Sequence, residues 1–337
     1  MGKEIPVTGK GGTEVQAALG ELIDATWGFS ALLAAAECGL PEASGDGATA
    51  DDTAARCNLD AGLATALLDV LVSTGLATRD GERFCAASGI LELLDEGRRD
   101  ESLSWLRNAH FQSRAMVDTA RQGRLEPGWS HTDAELLQAQ GRAGRGMTYA
   151  MTRVFGMLPG LEERLRSEDA AFLDVGIGVG IIAIELCRIY RTLHVVGLEP
   201  GDAQIAEARK NIAEARLEDR IEVRRQSLED LDDRDAFDLA YVASTFMPLH
   251  VLRDGLPRVL AALRPGGWAS IVAFDAPGDG LHASTSRLIN ALWGGSPMDD
   301  TAAVALMREV GFEMVQAGGA PGSTVKGVMG RRSVAGP

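Results

Sequence analysis

The chain of 337 residues has only four cysteines, Cys38, Cys57, Cys85 and Cys187, and no two of them form a C-x-x-C pair. Neither a zinc ribbon nor a dense disulfide framework is supported by that set. Basic residues are in deficit: 33 Lys+Arg against 48 Asp+Glu leave a net charge of −15. A surface that negative repels phosphate backbones and anionic lipid heads, which argues against a general nucleic-acid or membrane-surface protein. Long apolar runs are missing as well. The longest, around Phe29–Ala36 and Phe172–Leu186, are interrupted or too short to span a bilayer. Met1–Gly12 has no apolar run that could serve as a signal peptide, so a soluble, cytoplasmic protein is expected. Histidines number five, and nothing in their spacing demands a metal. What is present is ordinary for a globular chain of two domains, with 45% hydrophobic and 24% charged residues.

Residues 1–14 are polar and glycine-rich and are expected to form a disordered lead. From Val15 to Cys38, Leu19, Leu22, Ile23, Trp27, Ala31 and Leu32 recur at helical spacing, and Gly39 with Pro41 supplies the stop. Thr49-Ala-Asp-Asp carries a capping-box pattern and opens a short helix. A second short helix follows to Gly75, then two short strands around the turn Asp80-Gly81. Helix, helix and hairpin in that order read as a winged helix, which sets a front domain at residues 15–100. Residues 89–122 return to helical spacing, Gly123–Gly128 is loop-like, and Glu135–Leu165 is again mostly helical, with 101–165 as a helical linker. From Ala171 short apolar runs at 171–175, 194–198, 221–225, 237–243 and 268–274 alternate with amphipathic helices. That alternation predicts an α/β fold, a doubly wound parallel sheet over residues 166–337, with the boundary near 155–170.

The most informative stretch runs from Ala171 to Leu186. A buried strand ends in Asp174, passes glycines at 176, 178 and 180, and enters a helix. Glycines there let the backbone approach a ligand, at a helix N-terminus whose amides favour anionic groups. The dinucleotide fingerprint G-x-G-x-x-G fails, because its third glycine would fall at Ile181. The second strand, Val195-Val-Gly-Leu-Glu199, ends in an acid suited to accept hydrogen bonds from both hydroxyls of a ribose.

Asp174, Gly176, Gly178 and Gly180 make the complete D-x-G-x-G-x-G motif, which resembles the first motif of class I S-adenosylmethionine-dependent methyltransferases. Leu263-Arg-Pro-Gly-Gly is similar to that family's entry to its fifth strand. With a winged helix in front, the chain resembles the two-domain small-molecule O-methyltransferases of natural-product and antibiotic pathways. The resemblance implies S-adenosylmethionine as cofactor, a small-molecule acceptor, a homodimer built on the front domain, and a role for residues 101–165 in the acceptor-pocket lid. It implies no contact with DNA, and the candidate recognition helix Asp60–Ser73 has no Lys or Arg for phosphates. Cofactor contacts are implied for Asp174, Gly176, Gly178, Gly180, Glu199, Pro200, Ser227, Leu228, Ala243 and Ser244, with Tyr149 over the methionine end. Ser227 and Leu228 stand where the family often places an acid beside the adenine.

The pattern breaks at the base. Where the family carries His-Asp-Trp, this chain has Thr245-Phe246-Met247. Either the base has moved to another histidine or the acceptor needs none, since positioning alone supplies much of the rate. His250, just after the fourth strand, His110 and His282 are the candidates; His131 and His194 read as structural or solvated. Phe111, Phe246, Met247, Asn290 and Trp293 are the candidate acceptor contacts. Oxygen is the expected nucleophile, with carbon, sulfur or nitrogen left open, and a pathway enzyme or regulator that keeps the cofactor without methylating is the alternative.

Overall fold

The computed structural model describes residues 11–274, 276, 278–295, 298–319 and 324–334. They fall into two units that meet at His110 and Phe111.

The first unit starts with α1 (Gly12–Cys38), so residues 12–14, expected in the lead, already form the helix's first turn. Residues 1–10 of that lead lie outside the described residues. Gly39 ends α1 in the left-handed region at φ +78°, which a side chain rarely adopts, and α2 (Leu40–Ser44) follows with its proline in the first turn. Next come β1 (Ala48–Thr49), α3 (Ala50–Cys57) and α4 (Ala61–Ser73). Thr49 and Asp60 cap these helices by accepting from the backbone N–H of Asp52 and Leu63. The hairpin β2 (Ala77–Asp80) and β3 (Arg83–Ala86) pairs antiparallel, and β1 adds to β3. Ala35, Leu40, Leu68, Leu71, Ala77 and Phe84 form the core of this winged helix. α5 (Ser88–Leu93) closes it, and α6 (Arg99–Gln122) runs across the boundary between units.

The second unit adds α7 (Ala134–Ala143), α8 (Arg145–Phe155) and α9 (Leu161–Leu165) ahead of the sheet. The division therefore lies earlier than residues 155–170. The reason is local packing: Leu137 of α7 sits in a cluster with Val179 and Ile181, and a Cβ on Gly141 would lie 2.2 Å from Val179 Cγ2. These helices are built onto the glycine loop and cannot be assigned to the front domain.

The sheet strands are β4 (Ala171–Val175), β5 (His194–Glu199), β6 (Ile221–Arg225), β7 (Phe237–Val242), β8 (Leu263–Phe274), β9 (Glu313–Gly318) and β10 (Val325–Arg331). Their order is β6-β5-β4-β7-β8-β10-β9. The first five are parallel, and β10 inserts antiparallel between β8 and β9. The connecting helices are α10 (Ile181–Ile189), α11 (Asp202–Ala215), α12 (Leu249–Ala262), α13 (Leu281–Leu292) and α14 (Asp300–Val310). Alternate side chains of each strand serve opposite faces: Phe172, Val195, Leu239 and Trp268 join one core, Leu173, Leu198, Ala240 and Ala269 the other. The order reverses between β4 and β7, so a crevice opens beyond their carboxyl ends, where ligands bind in open α/β sheets.

Candidate functional site

At the exit of β4 the three glycines take φ of +79°, +56° and +82°, left-handed values that the D-x-G-x-G-x-G spacing anticipates. A Cβ on Gly176 would stand 3.3 Å from both Ala243 Cβ and Met247 Cε, so this turn is tight as well as left-handed. Gly180 is the N-cap of α10, which points the helix's first amides toward the loop. At the end of β5, Glu199 is buried, and its two oxygens accept from Gly178 N–H and Gly201 N–H, each at 3.1 Å. The carboxylate is thereby fixed in place while keeping lone pairs for a ligand's hydroxyls. Burial raises its pKa, and the two backbone donors act against that rise.

Asp174 lies beneath the loop, 1% exposed, and neither carboxylate oxygen has a hydrogen-bond partner. Desolvation, and then the charge of Glu199, push its pKa up to about 7. An unpaired buried carboxylate stabilises nothing by itself.

Past these residues opens a cleft of about 460 Å³. Gly176, Glu199, Pro200, Ser227, Leu228 and Ala243 line it, together with Phe246, Met247 and His250. His250 is exposed at the second residue of α12. Ser227 Oγ donates to Asp230, but Glu229, two places beyond Ser227, also lines the cleft and supplies an acid at that end.

Other expected residues stand elsewhere. Ser244 is buried, and its hydroxyl both donates to Val272 O and accepts from Val272 N–H, stapling β7's end to β8. Tyr149 is half exposed and donates to Glu185 Oε2 at 3.3 Å, away from the cleft lining. His282 is exposed in the first turn of α13, Phe111 is half-buried in α6, and His110 belongs to the first unit. Asn290 is fully buried with both amide atoms unpartnered. Trp293, just past α13, packs its ring 4.9 Å from Phe246 and 6.1 Å from Phe274.

Trp129 is one of the cleft residues that sequence reasoning missed. The segment Pro127-Gly128-Trp129 forms a strap along the cleft lining. Gly128 N–H donates to Gly294 O, and His131 O accepts from Gln204 on α11, which ties the strap at both ends. Trp129 then stands edge-on to Phe246 at 5.1 Å and to His131 at 4.7 Å. Burial lowers the His131 pKa, which keeps that ring neutral at pH 7. Gly294 and Gly295 permit this close approach: Cβ atoms there would lie 2.2 Å from Gly128 O and 2.0 Å from Thr245 O. Glycines in Gly123–Gly128 signalled a loop, but nothing local said what the loop covered.

A glycine loop under a helix N-terminus and a strand-end carboxylate held by backbone amides define a nucleoside-binding α/β domain. Residues 172–267 match the family described as methyltransferase domain. Trans-aconitate 2-methyltransferase of Variovorax paradoxus is 32% identical over 136 residues, 39% of this chain and 47% of that one. The chain spans less than half the length of the curated relatives it matches. Among solved structures, the S-adenosylmethionine-dependent methyltransferase SibL superposes with a TM-score of 0.65 at 22% identity, over 94% of this chain and 99% of that one. An O-methyltransferase family protein from Burkholderia thailandensis superposes with 0.69 at 18% identity, over 95% and 98%. The match to a methyltransferase domain thus covers residues 172–267, and the whole chain has the same two-domain fold as these solved methyltransferases. Among the described residues, no helix is long and apolar enough to cross a membrane.

Proposed function

We propose that this chain transfers a methyl group from S-adenosylmethionine to a small-molecule acceptor, with oxygen as the nucleophile. The observation that carries the reading is the pair of Glu199 oxygens, each already positioned by a glycine N–H at the rim of the cleft. Glu199 would take the ribose hydroxyls, Leu228 and Glu229 the adenine end, and the Gly176 turn the methionine end, above the unpaired Asp174 carboxylate. The bound cofactor supplies an electrophilic methyl on a sulfonium. The protein's remaining tasks are to aim the acceptor and to take its proton.

Thr245, at the family's base position, is buried, and a hydroxyl there offers no basic site. His250 is the histidine that lines the cleft, and we assign it the proton. His110 and His282 are not part of that lining. Phe246, Met247 and Trp129 give the acceptor an apolar bed, with Trp293 behind Phe246 and the unsatisfied Asn290 amide one turn before Trp293. Neighbours with oxygen chemistry in their names support the choice of oxygen.

The same reading includes a homodimer through the front domain. Val15, Leu19, Leu22, Ile23 and Trp27 are 45–72% exposed and lie along one stripe of α1. A second copy covering that stripe would bury it.

Methyl-labelled cofactor incubated with phenols, enols and carboxylic acids tests the chemistry. Label should reach product, and His250→Ala should lower turnover about 10²–10⁴-fold with cofactor affinity unchanged. Acceptor conversion without cofactor turnover would favour a non-methylating enzyme instead.

A further inference from the structure

A short chain of side-chain hydrogen bonds behind the acceptor side of the cleft has a fixed direction. Trp293 Nε1–H donates to Gln112 Oε1 at 2.8 Å. An indole nitrogen can only donate, so Gln112 must present its oxygen there. Its amide nitrogen is thereby turned the other way, and it donates to Gln140 Oε1 at 2.7 Å. Gln140 in turn spends its oxygen on Gln112. Its own NH2 group has no hydrogen-bond partner among the described residues, and Gln140 lines the cleft. Gln112 is 8% exposed, so water does not loosen the middle of the chain.

Resting on the methyltransferase reading, we propose that Gln140 determines acceptor specificity by donating a hydrogen bond to a carbonyl, carboxylate or enolate oxygen on the acceptor. The chain begins at Trp293, whose ring packs on Phe246, the apolar bed of the cleft. The donor is thereby tied, through Gln112, to the ring that packs on this bed. A flat ring against Phe246 and Trp129, with an acceptor oxygen directed at Gln140, satisfies both the aromatic walls and the open amide. A ring of the same shape that lacks such an oxygen leaves that donor unpaired in a half-buried place.

The test is calorimetry on the full chain saturated with S-adenosylhomocysteine. The probes are hydroxyacetophenones with ortho, meta or para hydroxyls, each against the isopropenylphenol of the same shape. At least one ketone should bind tenfold or more tighter than its isostere, and Gln140→Leu should erase that preference while S-adenosylhomocysteine affinity stays the same. Trp293→Phe, which removes the indole donor that Gln112 Oε1 accepts, should reduce the preference by an intermediate factor. Equal binding within every pair, no binding of any probe, or a preference that survives in Gln140→Leu overturns the proposal. An unchanged preference in Trp293→Phe overturns the fixed direction. If Gln140→Leu weakens S-adenosylhomocysteine itself, the amide serves the cofactor's carboxylate and the acceptor assignment falls. If the wild type does not bind S-adenosylhomocysteine at all, it is the methyltransferase reading that fails.

Discussion

Replacing Asp174 by asparagine should stabilise the unliganded protein, and by an amount that depends on pH. A carboxyl group ordinarily titrates near 3.9. Burial with no partner, beside the charge of Glu199, raises Asp174 to about 7. The folded state thus holds this proton more tightly than the unfolded chain does. The stability carried by neutral Asp174 is complete below about pH 4, is lost as pH rises toward 7, and changes little above that. Three pKa units at about 1.36 kcal/mol each set a ceiling of about 4 kcal/mol over the whole range. Roughly 2–3 kcal/mol of it falls between pH 5 and pH 8. Asparagine has nearly the same shape and cannot ionise, so its profile lacks that decline. Urea midpoints of wild type and Asp174→Asn at half-unit steps from pH 5 to 8 measure the difference, with equal slopes expected. The curves should diverge with rising pH, the variant becoming the more stable. Parallel curves would show that Asp174 ionises in the fold as easily as in water, and the picture of an unpaired acid beneath the glycine loop would be wrong.

Gly295→Ala should lower the melting temperature by several degrees, on the order of 1–3 kcal/mol, because its Cβ would stand 2.0 Å from the Thr245 carbonyl and backbone must move; an unchanged melting curve in calorimetry would refute that contact. Light scattering should give twice the chain mass for the wild type, and a smaller mass after Leu22→Glu with Trp27→Glu on the exposed stripe of α1. A monodisperse wild-type monomer would remove the dimer.

The parts of the fold that the sequence made legible are those fixed by short-range rules. Thr49 announced its helix because a side-chain oxygen must meet the N3 amide, here that of Asp52. The three glycines announced a turn because their spacing suits left-handed backbone. Strands β4 to β8 were legible as apolar runs because a parallel sheet buries both faces. The rest depended on partners distant in the chain. β10 carries glycines at 327 and 330 and shows no clean alternation, so its place between β8 and β9 could not be read. Gly330 is small because Met307 and Phe312 press on it, each 2.9 Å from where a Cβ would lie. The contact of Gly141 with Val179, which joins α7 to the glycine loop, likewise has no local signature. In the candidate site, Glu199 stands out as an acid ending a strand. Trp129 and Gln140 do not, since their roles come from Phe246, Gln112 and Trp293, the last pair separated by 181 positions. Tyr149 could be placed near the glycine strand by its helix, but only the fold shows that its hydroxyl turns to Glu185.

Calorimetric titration of the full chain with S-adenosylhomocysteine and with NAD, on the wild type and Glu199→Ala, is the most direct measurement of what the cleft holds. Glu199 accepts from two glycine amides and would accept from both ribose hydroxyls, so its removal takes away charge-assisted bonds of about 1.5–3 kcal/mol each and loosens the loop as well. Micromolar binding of S-adenosylhomocysteine at one site per chain, at least a hundredfold weaker in Glu199→Ala, with no binding of NAD, is expected. A wild type that takes NAD and not S-adenosylhomocysteine, or a Glu199→Ala variant that binds S-adenosylhomocysteine as tightly as the wild type, would contradict it.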